Sequence, residues 1–313
     1  MTLQHFYTIH DLNLSQLIEK GNAFKKSPFQ DGTLKNKSIV TIYLNPSLRT
    51  RLSTEKAAHQ LGISVTSLNI TDAWKWETKP GVTMNLDKAE HIQDAAQVIS
   101  QYCDLIAIRS FPGLKDRAAD LADMILKSFM KYASVPVLNM ESAGGHPLQA
   151  LADAMTIQTF QKSQKPKVVL TWAPHPKALP HAVPISFARM AQMIDTELSV
   201  VQPEGYALPG EVTRNARVLY HQDEALKGAD FVYVKNWSST SNYGTVQDQN
   251  TSWMIDETKM KLTNEAYVMH CLPVRRNVVI SDKVLDSEKA LCMAQANNRT
   301  YAAQSVLWHL LKQ

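Results

Sequence analysis

Short apolar, β-branched runs alternate along this chain with stretches whose apolar residues recur at helical spacing. Ser38–Leu44, Val65–Ile70, Leu105–Arg109, Val135–Asn139, Val168–Trp172, Glu197–Val201, Phe231–Lys235 and Tyr267–Leu272 read as strands. Asp11–Phe24, Ser53–Leu61, Glu90–Tyr102, Pro147–Phe160, Ala182–Met193 and Ala302–Leu311 read as helices. This alternation predicts parallel sheets wrapped by helices, an α/β fold. The polar, punctuated segment Lys162-Ser163-Gln164-Lys165-Pro166 is a natural entry into a second α/β domain, with the helix before it as the link. Ligands of open parallel sheets bind beyond the carboxyl ends of the strands. The chemically distinctive residues of this chain cluster at such ends.

The first cluster is YLNPSLRTRLSTEKAAHQLG, from Tyr43 to Gly62. Asn45-Pro46 breaks the strand, Ser47 is a good N-cap, and Leu52, Ala57, Ala58 and Leu61 share one side of the helix that follows. Ser47, Leu48, Arg49 and Thr50 thus stand where free backbone N–H groups and the positive end of a helix dipole favour an anion, phosphate above all. The plainer alternative is a capped helix with two solvated arginines. Arg109 closes its strand, either in a structural ion pair or as a second guanidinium for the same anion.

ESAGGHPLQALAD, from Glu141 to Asp153, opens a helix at Pro147. Gly144-Gly145 permits close backbone approach. His146 and Gln149 can polarise a carbonyl by donating hydrogen bonds; the plainer alternative is a capping histidine and a surface glutamine. In VMHCLPVRRN, Cys271 stands at a strand end as either an inert core residue or a reactive thiol. Pro273 biases the backbone before it away from helix, so carbonyls around Leu272 are placed to orient an amide NH2. Arg275 and Arg276 offer cationic ends to a carboxylate, or form a solvated basic turn.

Composition narrows the classes. The chain of 313 residues supports one large or two medium domains. No run approaches the roughly 20 apolar residues that span a membrane, and no signal-peptide pattern opens the chain. Three cysteines without C-x-x-C or zinc-ligand spacing argue against a disulfide framework and point to the cytoplasm. The net charge of +4 suits small anionic substrates and lacks the basic stripe of a nucleic-acid binder.

Taken in order, S-x-R-T-R, HP-x-Q and HCLP followed by arginine resemble the carbamoyl-phosphate signatures of the aspartate/ornithine carbamoyltransferase family. The resemblance covers essentially the whole chain. It implies two domains, each a parallel sheet flanked by helices, with the active site in the cleft between them. Residues 1–147 would bind carbamoyl phosphate and 148–299 an N-acylornithine, with a final helix at 300–313 packing back on the first domain. It also implies that Ser47, Leu48, Arg49, Thr50, Trp74, Arg109, His146, Gln149, Cys271, Leu272 and Arg299 surround carbamoyl phosphate, with Arg109, His146 and Cys271 in catalytic positions. Glu141, His175, Lys235 and Arg275 would bind the amino-acid substrate. No metal or organic cofactor is implied. The expected partners are the two small molecules and further copies of the chain, as a homotrimer in which Trp74 reaches a neighbouring site; Trp76 competes for that role.

The chain departs from ornithine enzymes, which it otherwise resembles at HCLP. Their Asp-x-x-x-Ser-Met-Gly segment is replaced by FVYVKNWSSTSNYG, which carries Lys235. A lysine suits a substrate whose α-amine is capped and whose remaining charge is negative. Within the N-acylornithine branch, acetylornithine enzymes resemble one another in a Glu just before EH and in a Lys shortly after HCLP-x-RRN. Those places hold Ala89 and Val279 here. A Glu would repel a succinyl carboxylate and Ala89 would not, which favours N-succinylornithine and leaves N-acetylornithine as the alternative. A carbamoyl-phosphate-binding homologue without turnover is a more distant one.

Overall fold

A computed structural model describes residues 3–29, 32, 34–69, 74–246 and 251–312. The expected strand end Ile70 lies outside them, as do Asp72 and Ala73. In chain order the elements begin with α1 (Leu14–Lys26), β1 (Ser38–Tyr43), α2 (Arg49–Gln60), β2 (Ser64–Asn69), β3 (Trp76–Glu77), β4 (Glu90–His91) and α3 (Ile92–Ser100). They continue with β5 (Leu105–Arg109), α4 (Arg117–Ala122), α5 (Met124–Tyr132), β6 (Val137–Glu141), α6 (Pro147–Phe160), β7 (Lys167–Trp172) and α7 (Ala182–Ala191). Then follow β8 (Glu197–Val201), β9 (Arg217–Leu219), α8 (Gln222–Leu226), β10 (Phe231–Lys235), α9 (Glu257–Met260), β11 (Tyr267–Met269), α10 (Asp282–Leu285) and α11 (Cys292–Leu311). The chain divides into two compact units. The first holds Met1–Gly113, Ala118–Leu148 and Arg299–Gln313; the second holds Leu114–Arg117 and Gln149–Asn298.

The first unit is built on a four-stranded parallel sheet in the order β2-β1-β5-β6. Its middle strands are largely apolar and almost wholly buried, as in a parallel sheet covered on both faces. Val40, Ile42, Ile106, Ile108, Leu126 and Phe129 form part of its core. The register pairs Arg109 with Tyr43 on one side and with Glu141 on the other, so both charged residues finish adjacent strands. Part of α11 returns to this unit. Ser305 Oγ donates to the Leu17 carbonyl at 2.8 Å, and Trp308 packs edge-on against Phe24.

The second unit is built on a five-stranded parallel sheet in the order β11-β10-β7-β8-β9. Val168, Leu170, Val232 and Val234 are buried along its central strands, and Phe187 stacks on Tyr233. Indole N–H groups pin the loops beyond its carboxyl edge. Trp172 Nε1 donates to the Trp237 carbonyl at 3.0 Å, and Trp237 Nε1 to the Tyr206 carbonyl at 2.7 Å. Asn236 Nδ2 donates to the Ala173 carbonyl at 2.7 Å, which ties the end of β10 to the end of β7.

Of the boundaries that differ from the sequence reading, three lie close to the distinctive residues. Helix α2 opens at Arg49 with Leu48 as its cap residue and no side-chain capping bond, so Ser47 is not the N-cap. Arginine and leucine are good helix formers, and they carry the helix back through the segment expected to be loop. Glu90 and His91 pair with Trp76 and Glu77 as a short parallel ladder, and α3 starts at Ile92 with His91 Nδ1 accepting from the Gln93 N–H. Helix α11 starts at Cys292 rather than Ala302. Gln295 and Asn298 interrupt its apolar period, yet both are buried and hydrogen-bonded to Asp153 and Thr156.

Candidate active site

In the first unit, the carboxyl ends of β1, β5 and β6 assemble a cationic set. The first helical bond of α2 runs from the Leu52 N–H to the Leu48 carbonyl. The N–H groups of Arg49, Thr50 and Arg51 precede it and have no helical carbonyl to reach, which is the anion-binding arrangement of a helix start. Thr50 is buried, and Arg299 Nη2 donates to its Oγ1 at 2.9 Å. The two arginines of the opening motif diverge. Arg49 lies half-buried, close enough to His146 to act on its charge, whereas Arg51 bonds Glu55 at 3.0 Å and lies over the Tyr43 ring. A cavity of about 430 Å³ opens beside this loop, lined by Asn45, Ser47, Leu48, Arg51 and Asn69 among others.

Arg109 and Glu141 form a buried ion pair, Nη1 to Oε2 at 2.8 Å. Arg109 Nε is buried and has no hydrogen-bond partner among the described residues. The ion-pair reading of Arg109 therefore holds, and its Nε remains a donor without a partner among them. Glu141, which the resemblance places with the amino-acid substrate, is engaged here by Arg109, and His146 Nε2 stands 3.7 Å from the same carboxylate oxygen. Burial pushes the His146 pKa well below its ordinary value, and Arg299, Arg109 and Arg49 add to the effect. His146 is thus a neutral imidazole, able to donate one hydrogen bond to a carbonyl oxygen without carrying charge into the site.

The turn that carries Glu141 and His146 is fastened by a residue the sequence did not announce. Asp123 accepts from the Tyr7 and Ser142 hydroxyls, both at 2.7 Å, and from the Gly144 N–H at 3.1 Å. A Cβ on Gly144 would lie 2.4 Å from Tyr7 Oη. Gly144 therefore admits these side chains rather than a ligand.

In the second unit, Lys235 ends β10, His175 follows β7 and Arg275 follows β11. Arg275 Nε donates to His175 Nε2 at 3.1 Å, and His175 Nδ1 donates to the Lys177 carbonyl at 2.8 Å. Partial burial lowers the His175 pKa, with further lowering from Lys235, Arg275 and Lys177. Among the described residues no carboxylate pairs with Lys235 or Arg275. Lys235 is nevertheless buried. A buried cation without a counter-ion is costly, and an anion placed beside it would offset that cost. Arg276 is different: Asp282 and Asp286 hold it at 2.8 and 2.7 Å, leaving Arg275 as the arginine open to a substrate.

Gln149 is buried at the start of α6 and gives its Nε2 to Asp153. Cys271 and Leu272 are half-buried, and Leu272 adopts φ 57° before a cis bond to Pro273. The backbone before Pro273 is thus away from the right-handed helix, as its sequence implied. The Leu272 N–H donates to His270 Nδ1 at 2.8 Å, and its φ lies in the left-handed region that L residues seldom adopt.

Trp74 is 58% exposed, and its Nε1 donates to Glu90 at 2.8 Å. Trp76 instead packs edge-on against Phe129 in the core of its own unit. Of the two, only Trp74 presents an indole to its surroundings. Ala89 is exposed in the segment before Glu90, and Val279 is buried. Among the described residues no group of three or more His, Cys, Asp or Glu is placed to hold a metal, and no helix is long and apolar enough to cross a membrane.

Comparison with known proteins converges on one family. The carbamoyl-P binding domain of the aspartate/ornithine carbamoyltransferases matches residues 4–159, and the Asp/Orn binding domain matches residues 181–310. An N-succinylornithine carbamoyltransferase of Bacteroides fragilis is 43% identical over 99% of both chains. An N-acetylornithine carbamoyltransferase of Xanthomonas axonopodis is 36% identical over 100% of this chain and 98% of its own. Among solved structures, a glutamate-to-alanine variant of an N-acetyl-L-ornithine transcarbamylase, complexed with carbamyl phosphate and N-succinyl-L-norvaline, superposes with a TM-score of 0.94. It is 36% identical, over 98% of this chain and 100% of its own.

Proposed function

This chain belongs to the aspartate/ornithine carbamoyltransferase family, and on that premise we propose that it transfers the carbamoyl group of carbamoyl phosphate to the δ-amine of N-succinyl-L-ornithine. The products are N-succinyl-L-citrulline and phosphate, and the reaction serves arginine biosynthesis. The carbamoyltransferase class follows from the family. The choice of an N-acylated acceptor over free ornithine is carried by one observation: the second unit offers buried Lys235, with Arg275 and His175, and among the described residues no acid pairs with Lys235 or Arg275. A free ornithine would bring a cationic α-amine to that pocket. N-succinylation replaces that amine by a neutral amide, so the α end of the substrate brings only carboxylates. The uncharged Ala89 agrees with this, and so does the succinyl ligand held by a relative in which a glutamate has become alanine.

On this reading, the phosphate lies on the N–H groups at the start of α2 with Ser47, Arg49 and Arg109. His146, Arg109 and Thr50 polarise the carbamoyl oxygen, while Gln149 and the carbonyls beside Cys271 and Leu272 hold its NH2. The neutral δ-amine attacks, the C–O bond to phosphate breaks, and the departing phosphate accepts the amine proton. Orientation and stabilisation of the oxyanion do the work. The active form is an oligomer, a homotrimer in which exposed Trp74 enters a neighbouring site, and it works in the cytoplasm.

The test is product formation from carbamoyl phosphate with N-succinylornithine, N-acetylornithine, free ornithine and aspartate in turn. Turnover mainly with N-succinylornithine is expected. Turnover mainly with N-acetylornithine would overturn the acyl assignment and leave the carbamoyl site standing. Binding of carbamoyl phosphate without any transfer would replace the enzyme by a binding homologue.

A further inference from the structure

Asp153 lies wholly buried in α6, one turn after Gln149. Its Oδ1 accepts from Gln149 Nε2 at 2.7 Å and from Gln295 Nε2 at 2.9 Å. Gln295 Oε1 in turn accepts the backbone N–H of His270 at 2.9 Å. His270 Nδ1 then accepts the N–H of Leu272 at 2.8 Å. One carboxylate oxygen therefore anchors two things at once: the side chain of Gln149, and, through Gln295, the backbone from His270 to Leu272.

The chemistry of this chain fixes a direction. An oxygen that takes two N–H bonds is an acceptor, so Gln149 must offer it the amino end of its amide. The carbonyl end, Oε1, then faces the opposite way. An unanchored glutamine amide can turn over, because its two ends are nearly equal in shape. Turned over, Gln149 would meet a carbamoyl NH2 donor-to-donor. Likewise, the His270–Leu272 backbone would lose the bond that holds its carbonyls in place. Both halves of the proposed NH2 cradle thus depend on the same buried oxygen.

We propose that Asp153 is a positioning residue that, with Gln295, fixes the amide of Gln149 and the His270–Leu272 backbone as acceptors for the carbamoyl amino group. The proposal rests on the carbamoyl-phosphate reading above. It assigns no contact between Asp153 and substrate. Its action is to make the site choose a carbamoyl group over a bare phosphate or an acyl phosphate without an NH2.

The experiment compares Asp153→Asn and Asp153→Leu for KM of carbamoyl phosphate and for inhibition by inorganic phosphate. Asparagine can turn an oxygen toward both donors; leucine cannot. Asp153→Leu is expected to raise the carbamoyl-phosphate KM about thirtyfold, the loss of one or two buried hydrogen bonds. Inhibition by phosphate, whose proposed partners lie in the first unit, stays within about twofold, and Asp153→Asn stays within about threefold of the original KM. Adding Asp153→Leu to Gln149→Ala should do little more than Gln149→Ala alone. The proposal is overturned by an unchanged KM in Asp153→Leu, by equal damage in Asp153→Asn, or by parallel loss of carbamoyl phosphate and phosphate. Should Asp153→Leu not fold, Gln295→Leu tests the outer link: a KM raised several-fold with normal phosphate inhibition supports it, and an unchanged KM sinks it. Absence of transfer by the unaltered protein would instead count against the carbamoyl reading itself.

Discussion

The two units treat charge in opposite ways. In the first, cations are enclosed with an internal counter-ion: Arg109 with Glu141, beside a neutral His146. In the second, Lys235, Arg275 and His175 come together with no acid among them. An enclosed, partly neutralised site is set in advance of its ligand, and its remaining donors define a fixed shape. A site that lacks its counter-ion is completed by the ligand, and discriminates by charge. This contrast matches a division of labour between orienting a reactive group and choosing a substrate.

Arg109→Ala should break the first site most severely. It removes a proposed donor to the phosphate and carbamoyl oxygen, so turnover should fall about a thousandfold. It also strands Glu141, and a buried charge without its partner costs about 3–5 kcal/mol, readable by denaturant unfolding. Full activity in this variant would refute the assigned role. Lys235→Ala should act on the other site alone, raising the KM for N-succinylornithine about thirtyfold with little change in that for carbamoyl phosphate. Equal effects on both KM values would dissolve the contrast. Ala89→Glu is a gentler change. It should cut turnover with N-succinylornithine about tenfold and spare N-acetylornithine, if like charges meet there as proposed. Parallel losses on the two acceptors would remove Ala89 from the acyl pocket.

The smallest effect concerns pH. His146 is neutral when folded but protonates near 6.5 when unfolded. Its folded pKa is the lower one, so its contribution to stability is complete above pH 6.5 and declines as pH falls below it. The slope approaches about 1.4 kcal/mol per pH unit for one proton. His146→Gln should flatten the fall in stability between roughly pH 6.5 and 5. His5, His175 and His181 shift in the same direction and leave a residual slope. An identical pH profile in the variant would mean that His146 is not the buried neutral group described here.

Much of this organisation was legible before the structure. Apolar strands ending in Arg109, Lys235 or Leu272 announced parallel sheets with chemistry at their carboxyl edges, because period and punctuation are local signals. The alternatives left open at Arg109, Arg275 and Arg276 could not be decided there. Asp282 and Asp286 take Arg276, and that pairing depends on how the turn folds back. The start of α2 was misplaced because a serine after proline is only a preference, and good helix formers beyond it override it. Asp123, Asp153 and Gln295 were invisible for a stronger reason. Each is an ordinary polar residue whose importance lies in partners more than a hundred positions away or on another element.

The return of α11 to the first unit sets an order of events during synthesis. Arg299 reaches Thr50, and Ser305 reaches Leu17, only after every residue of the second unit has been made. A growing chain can form much of the first sheet early, but it lacks the last cation of its own anion site until translation is nearly complete. Such long-range closure is slow compared with local folding. A ribosome-bound or prematurely ended chain is therefore held short of the proposed phosphate site, which closes only when the chain is whole.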